Sequence, residues 1–334
     1  MSTTVAESVT LWERVRTYSP PSRFLPVIVT FAVFLGMFGV GGVRYEGFAH
    51  PQVFLHVLHD NAFLIVLAVG LTFVILTGGI DLSVGSVVAM STVIAAKTLE
   101  LGWPPALAML TVLIAGTLLG TIMGLLIHYL DIQPFIATLA GLFLARGITY
   151  LISVRSIPIT DETFREIAYA SIPLPGGHYT TWLVVVALST VLIAAYVLAR
   201  TRFGRTVYAI GGSESSAMLM GLRVALVKVG VYAISGFCAA LGGLLFALYL
   251  LSGYSLHAVG MELEAIAAVV IGGTLLTGGR GYVVGSMIGV LVYGTIQTFI
   301  NFDGTLSSWW TRIAIGVLLL VFVVIQRVAT RGPR

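Results

Sequence analysis

Three acidic residues stand in or beside long apolar stretches, where a charged side chain is costly. Asp81 lies in the segment GGIDLSVGS, and Glu262 and Glu264 lie in GMELEAIAAVVIGG. An ionised side chain at the centre of a membrane helix costs roughly 2.5–3.5 kcal/mol on insertion scales, so acids in such places usually contact an ion, a polar solute or a polar partner. With Ser83, these three acids are candidates for a solute path.

Each acid also has a purely structural explanation. Asp81 would cap a helix beginning at Leu82 by accepting hydrogen bonds from its free backbone amides. Glu262 and Glu264 stand near the start of a predicted helix, where negative charge interacts favourably with the helix dipole. Because these two residues are two positions apart, they point to different faces and do not form a paired acid site by themselves. The sequence leaves both explanations open.

Motifs for nucleotide, metal or acyl chemistry are absent from the sequence. The two lysines, Lys97 and Lys228, do not follow a glycine, so the chain has no GxxxxGK[ST] phosphate loop. It has no HExxH motif and no nucleophile elbow. His56 and His59 are three residues apart, and interfacial polar contacts explain them better than a metal site. The sequence therefore predicts no catalytic residue, no metal site and no cofactor in this chain.

The elements that must position these acids are membrane helices. Only 10% of the 334 residues are charged, against about 25% in a typical soluble domain, and the mean hydropathy is +1.02. The apolar runs are continuous and long enough for spanning helices, whereas barrel strands would alternate apolar and polar residues. The sequence thus predicts an all-α polytopic membrane protein with about ten transmembrane helices. The predicted spans are 24–42, 57–76, 83–99, 105–127, 134–153, 181–199, 229–251, 262–276, 283–300 and 309–326.

The distribution of basic residues orients this domain in the membrane. Eleven of the 18 lysines and arginines fall in three segments, 1–23, 200–228 and 327–334. The positive-inside rule makes these segments cytoplasmic and leaves the long connection 154–180 periplasmic. The net charge of +4 is therefore a feature of membrane topology and does not indicate nucleic-acid binding. We expect one transmembrane domain over 24–326, between a cytoplasmic N-terminal segment and a cytoplasmic tail.

An internal echo relates two parts of this domain. Residues 76–86 read LTGGIDLSVGS, residues 276–286 read LTGGRGYVVGS, and seven of the eleven positions are identical. Either two glycine-rich turns have converged, or the chain contains an internal repeat with broken helices at matching points, as many transporters do. With ten spans, the two copies of such a repeat would have the same orientation in the membrane (a parallel repeat). If one junction were a re-entrant break, the number of crossings between the copies would change and the repeat would be inverted. The candidate helix-break residues are Gly78, Gly79, Gly278 and Gly279.

Glycines at four-residue spacing predict close helix packing. One such series is Gly116, Gly120 and Gly124, and a second begins at Gly281 and continues through Gly285 to Gly289. Small residues at this spacing let helix backbones approach each other closely. We therefore interpret both series as packing positions.

The basic connection 200–228 has the features of a docking segment. We interpret its glycines (Gly204, Gly211, Gly212) as a flexible stretch that leads into a short helix. Ser213 is suited to cap the start of that helix, and Gly221 is suited to end it. A short helix on the cytoplasmic face would suit docking to a partner, and the alternative is a solvated basic loop facing anionic lipid.

Three motifs in this order resemble the permeases of ATP-binding-cassette monosaccharide importers. They are GGIDLSVGS, FGRTVYAIGG with its following short helix, and ELEAIAAVVIGGTLLTGG. The resemblance extends from about residue 57 to 326. The family includes ribose, xylose, arabinose and galactose importers and is distantly similar to branched-chain amino-acid permeases. Residues 60–86 and 301–316 look most like one permease subunit of a galactofuranose importer. Ser213 departs from the asparagine often found at its position, but both residues cap helices.

The resemblance implies an importer-permease fold in a bacterial inner membrane. It also implies a separate cytoplasmic subunit that binds ATP and Mg, and a periplasmic sugar-binding protein. A second permease protomer, identical or homologous, is implied as well, and we expect a heterodimer. The sugar path would run between the two protomers. The segment implied to couple to the ATPase contains Gly204, Arg205, Gly211, Gly212, Ser213, Glu214, Leu219 and Gly221.

Two other classes of function remain as alternatives. An ion-coupled secondary transporter would need a buried acid paired with a basic residue, for which Asp81 and Arg146 are the candidates. A membrane enzyme acting on lipid-linked sugars would need clustered carboxylates or a metal site. Co-purification with a nucleotide-binding subunit and a binding protein would support the importer alone.

Overall fold

The computed structural model describes residues 24–305, 307 and 309–330, and within them the chain is mostly helical. The helices of the first half are α1 (Leu25–Arg44), α2 (Pro51–Asp60), α3 (Ala62–Leu76), α4 (Val84–Glu100), α5 (Pro105–Tyr129), α6 (Pro134–Ile152) and α7 (Glu162–Tyr169). Those of the second half are α8 (Trp182–Arg200), α9 (Arg202–Gly212), α10 (Glu214–Leu219), α11 (Val224–Leu250), α12 (Met261–Ile271), α13 (Val283–Asp303) and α14 (Trp309–Thr330). Four short strands are β1 (Ile157–Pro158), β2 (Ser171–Leu174), β3 (His178–Thr181) and β4 (Ser252–Gly253).

The prediction of an all-α polytopic membrane protein is confirmed. Six of the described helices (α1, α5, α6, α8, α11 and α13) are each long and apolar enough to cross a bilayer. Helices α2 and α3 meet at a bend of 58°, and together they are long and apolar enough to form either a seventh, broken span or a re-entrant segment. The predicted span 57–76 is thus interrupted at Asn61, which lies between these two helices.

Two other predicted boundaries also differ from the structure. The predicted span 262–276 is a helix of only 11 residues, α12, which stops at Ile271 because Gly273 takes a left-handed conformation with φ +91°. Helix α14 continues to Thr330, so the predicted tail at 327–334 begins as helix. The predicted N-terminal segment, 1–23, lies outside the described residues.

The connections between helices gather at two opposite ends of the bundle. At one end, Ile157 pairs with Gly253, and the β2–β3 hairpin contacts α2 through hydrogen bonds between Gln52 and Tyr179. We call it the β end. At the other end, α9 lies against Leu76, Gly279 and Gly281 and is followed by α10, and we call it the α9–α10 end. The connection 154–180, predicted to be periplasmic, and the connection 200–228, predicted to be cytoplasmic, are thus at opposite ends of the described part of the molecule.

Helix α11 forms the centre of the bundle and packs against α3, α4 and α5. Its approach to α5 depends on the predicted glycine series. A Cβ on Gly116 would lie 2.7 Å from the Gly236 carbonyl oxygen, one on Gly120 would collide with the Tyr232 carbonyl oxygen, and one on Gly124 would lie 2.8 Å from the Val229 Cα. The second series is shorter than predicted, because Gly281 precedes α13.

Candidate functional site

The two echoed glycine segments contact each other at the α9–α10 end. The Gly279 amide donates a hydrogen bond of 2.9 Å to the Leu76 carbonyl oxygen. Gly78 and Gly278 have nearly the same left-handed backbone conformation, with φ +81° and +84°. Residues other than glycine rarely adopt this conformation. A Cβ on Gly278 would lie 2.8 Å from the Gly78 nitrogen. Each segment interrupts the chain between two helices, and the two interruptions pack backbone to backbone.

Helix α9 ends on this contact. A Cβ on Gly211 would collide with the Leu76 carbonyl oxygen and the Gly279 nitrogen. The Tyr208 hydroxyl, one turn earlier, donates a hydrogen bond of 2.8 Å to the Gly281 carbonyl oxygen. Burial raises the pKa of Tyr208 to about 12, so this hydroxyl keeps its proton at physiological pH. One helix of the predicted docking segment thus contacts both echoed segments.

The prediction that Gly204, Gly211 and Gly212 form a flexible stretch was wrong. Residues Arg202–Gly212 form α9, which is capped by the Thr201 hydroxyl accepting from the Gly204 amide at 3.1 Å. A Cβ on Gly204 would collide with backbone atoms of Leu198, whereas one on Gly212 would meet nothing within 4 Å. Gly204 and Gly211 therefore permit close approach of α9 to its neighbours, which explains glycine there without flexibility.

The short helix that follows, α10, has the predicted caps. The Ser213 hydroxyl accepts a hydrogen bond from the Ser216 amide, and Gly221 is left-handed at φ +73° with its amide bonded to the Met218 carbonyl oxygen. The helix itself ends at Leu219, two residues before Gly221. Glu214 forms an ion pair with Lys228 of α11 at 2.8 Å, which ties α10 to the bundle.

Helix α10 presents apolar side chains away from the bundle. Ala217 is buried, whereas Met218, Leu219 and Met220 are exposed, and the Leu219 side chain is 90% exposed. Arg205 is also exposed and lines a cavity of about 600 Å³ with Tyr208 and Arg280. The combination of an anchored helix and an exposed apolar tip is suited to a protein contact.

Asp81 is buried in the first echoed segment and accepts three hydrogen bonds. Its Oδ1 accepts from the Ser83 amide at 2.9 Å and from the Ser83 hydroxyl at 2.6 Å, and its Oδ2 accepts from the Ser235 hydroxyl of α11 at 2.7 Å. The prediction that Asp81 caps a helix starting at Leu82 was wrong, because α4 begins at Val84. The carboxylate instead stabilises the turn before α4 and connects it to α11.

Glu262 and Glu264 face different neighbours, as their spacing predicted. The Glu262 carboxylate lies beside Gly85 of α4 and within electrostatic range of Arg146. Glu264 faces Tyr293 of α13 and Arg312 of α14. Arg146 donates hydrogen bonds to the carbonyl oxygens of Ser255 and His257, and within the described residues it is not paired with Asp81. No group of three metal-ligating side chains occurs in the part of the chain that the structure describes.

Sequence reasoning missed several partners in these contacts. The sequence does not show that Ser235, Tyr208 and Lys228 contact Asp81, Gly281 and Glu214. Each acquires its role from a residue far away in the chain, as Ser235 does from Asp81. Only the tertiary fold shows them.

Known proteins resemble this chain over almost all of its length. Residues 53–323 match the family described as branched-chain amino acid transport system, permease component. The inner membrane ABC transporter permease protein YjfF of Escherichia coli is 48% identical over 306 residues, which are 91% of this chain and 92% of that protein. The fructose import permease protein FruG of Bifidobacterium longum is 39% identical over 311 residues, 91% of each chain. The ribose import permease protein RbsC of Haemophilus influenzae is 37% identical over 310 residues, 90% and 93% of the two chains. No solved structure matches the chain significantly.

Proposed function

The chain belongs to the permease-component family of branched-chain amino acid transport systems, and from this premise we propose that it is the inner-membrane permease of an ATP-driven monosaccharide importer. Relatives that are 39% and 37% identical over nine tenths of the chain are named as fructose and ribose permeases. Their names support a sugar as the solute. The resemblance of residues 60–86 and 301–316 to a galactofuranose permease supports galactofuranose as the first sugar to test.

The observation that carries the proposal is the arrangement of α9 and α10. The basic connection 200–228 lies at one end of the bundle. Within it, Met218 to Met220 form an exposed apolar tip. The helix before it contacts both echoed segments. A separate ATPase subunit, which binds ATP and Mg itself, would dock on this tip. A movement of that subunit would be transmitted through α9 to the helix breaks. A periplasmic sugar-binding protein would deliver the sugar to the β end.

The ion-coupled alternative finds less support in the contacts of the buried acids. Asp81 accepts hydrogen bonds from serine hydroxyls and an amide, and Arg146 donates to backbone carbonyl oxygens. Both residues are thus engaged in joining segments of the bundle, whereas proton or ion coupling would pair such groups with each other. A second permease protomer, identical or homologous, would complete the sugar path.

The Leu219→Asp variant tests the proposed coupling segment. A carboxylate at an exposed tip costs the isolated chain little, but it would place an unpaired charge in the contact with the ATPase. We expect normal membrane abundance, loss of the co-purified ATPase and a roughly tenfold or larger loss of labelled sugar uptake, because a docking contact weakened by about 1.4 kcal/mol binds its partner about ten times less tightly.

Two controls accompany this variant. Leu219→Met keeps an apolar tip, and Thr163→Ser changes an exposed position of α7 at the β end. Both should retain ATPase recovery and uptake. Normal ATPase recovery together with normal uptake in Leu219→Asp would show that α10 is not the coupling element.

A further inference from the structure

A cavity of about 500 Å³ opens at the surface of the protomer toward the β end, away from α9 and α10. Five elements contribute to its wall: the bend between α2 and α3, the last turns of α11, the first turn of α12, the second half of α13 and the first turn of α14. His59, next to the cavity, contacts Thr181 of the β2–β3 hairpin at 2.8 Å. If α9 and α10 face the cytoplasm, this cavity is therefore on the outward half of the protein.

Polar side chains converge on this cavity from different helices. Glu264 of α12 interacts with the Tyr293 hydroxyl of α13, and Gln297, one turn further, donates a hydrogen bond of 3.0 Å to the same hydroxyl. On the opposite wall, the Tyr249 hydroxyl donates to Asp60 at 3.4 Å. Carboxylates and amides that line an open cavity keep free lone pairs and N–H groups for a ligand.

Aromatic surface accompanies these polar groups. Trp309 also lines the cavity, and the Arg312 guanidinium stands 4.8 Å from the centroid of one face of its ring. Phe63 and Tyr249 contribute further ring surface to the wall, with ring centroids 5.9 Å apart. Small-molecule sites combine apolar and aromatic walls with a few fixed polar groups, and cavities of roughly 300–1,000 Å³ hold them.

We propose that this cavity is a binding site for a neutral monosaccharide, in which Glu264, Gln297 and Asp60 receive the sugar hydroxyls and Trp309 covers one face of the ring. The inference rests on the proposed function, because it makes the transported sugar the ligand. Each sugar hydroxyl both donates and accepts hydrogen bonds, so it is satisfied by the mixture of carboxylates, amides and phenols in the wall. Leu64, Met261 and Ile300 also line the wall, so L-leucine is the contrasting probe, and the names of the fructose and ribose permeases favour a sugar.

The test is a titration of the full chain in nanodiscs, followed by tryptophan fluorescence. The probes are D-galactose, D-ribose, D-fructose and L-leucine. We expect a saturable change with at least one sugar and none with L-leucine, and the Trp309→Phe variant should lose most of the signal. Glu264→Gln should weaken sugar binding about tenfold or more, since it removes a charge-assisted hydrogen bond. Glu100→Gln, at an exposed acid outside the cavity, should bind like the unmodified protein.

Transport measurements on the same variants complete the test. With its partner subunits present, Glu264→Gln should lower the maximal uptake rate while ATPase recovery stays normal. Asn301→Ala, at an exposed position of the cavity rim, serves as a second variant in case Glu264→Gln fails to accumulate, and we expect it to weaken sugar binding at least threefold. Unchanged binding and uptake in every accumulating variant, or saturable binding of L-leucine alone, would overturn the site. Failure of the proposed function would look different, because no sugar uptake would then depend on this chain.

Discussion

At the scale of single residues, the buried Asp81 shows how an acid can be fixed inside a membrane protein by neutral partners. Its side chain is 1% exposed, and three hydrogen bonds from an amide and two serine hydroxyls surround it. A buried acceptor whose donors are all present stabilises a unique local structure. The turn before α4 is therefore tied to α11 at a defined position.

Asp81→Ala should destabilise the protein more than Ser235→Ala. The first change leaves the Ser83 amide and two hydroxyls without their acceptor, whereas the second removes one hydrogen bond. We expect losses of about 1–3 kcal/mol for Asp81→Ala and about 1 kcal/mol for Ser235→Ala. The measurement is the thermal unfolding midpoint of the purified chain in detergent.

The control for this pair is Asp131→Asn. Asp131 is exposed and left-handed at φ +49°, a conformation that asparagine also adopts, so its midpoint should not change. A Ser235→Ala protein less stable than Asp81→Ala would contradict the assigned hydrogen bonds.

At the scale of elements, glycines decide how closely helices approach, and each glycine must be judged by what it faces. Gly120 of α5 faces the backbone of α11, whereas Gly147 of α6 has no atom within 4 Å of an added Cβ. Both residues are helical without a positive φ. They form a matched pair that separates packing from helix propensity.

Gly120→Ala should reduce stability and membrane abundance, and Gly147→Ala should not. The new methyl group in Gly120→Ala forces α5 and α11 apart, which typically costs about 1–3 kcal/mol, while alanine at an uncrowded helical position is favourable by up to about 1 kcal/mol. Membrane level and thermal midpoint are the measurements. A substitution at Gly102, another glycine near this helix, would be a poorer control than Gly147→Ala. Gly102 has φ +78°, so any residue with a Cβ would be strained there. Equal behaviour of the two alanine variants would contradict the packing interpretation.

The neighbouring glycines Gly211 and Gly212 provide a second matched pair, which tests the contact of α9 with the echoed segments. A methyl group on Gly211 would collide with Leu76 and Gly279, and one on Gly212 would enter open space. We expect Gly211→Ala to reduce sugar uptake at least tenfold, a loss equivalent to about 1.4 kcal/mol, with the ATPase still bound through α10. Gly212→Ala should transport normally. Normal uptake by Gly211→Ala would show that this contact is not needed for transport.

Local sequence rules predicted some of these features and not others. The caps Ser213 and Gly221 follow from short-range chemistry, and the echo at 76–86 and 276–286 is visible as repeated letters. The roles of Gly204 and Gly211 depend on the backbones they meet, so their sequence context alone suggested flexibility. The Asp81–Ser235 hydrogen bond joins residues 154 positions apart, and the Glu214–Lys228 ion pair crosses between two helices. Such contacts require the tertiary fold.

At the scale of the whole molecule, the two ends differ in both structure and charge. The β end carries the strands and α7, and the α9–α10 end carries the basic connection 200–228. The structure places these segments on opposite ends, and the positive-inside rule assigns the basic one to the cytoplasm.

Cysteine labelling tests this orientation. The native Cys238 is buried in α11 and should not react with an impermeant maleimide. Ser215→Cys, on α10, should be labelled only after cells are opened, whereas Ser171→Cys, on β2, should be labelled in intact cells; both positions are exposed. Labelling of Ser215→Cys in intact cells would contradict the predicted topology.

The contact of Gly211 with Leu76 and Gly279 has a mechanical consequence. The end of α9 lies against the point where the two echoed segments touch each other, so a movement of α9 would reach both segments together. A displacement of α10 by a docked partner would then move both helix breaks at the same time. The lipid-facing helices would not have to transmit the movement. The two echoed segments of one protomer would therefore move together. In a permease with two protomers, each protomer would receive such a movement from its own ATPase contact.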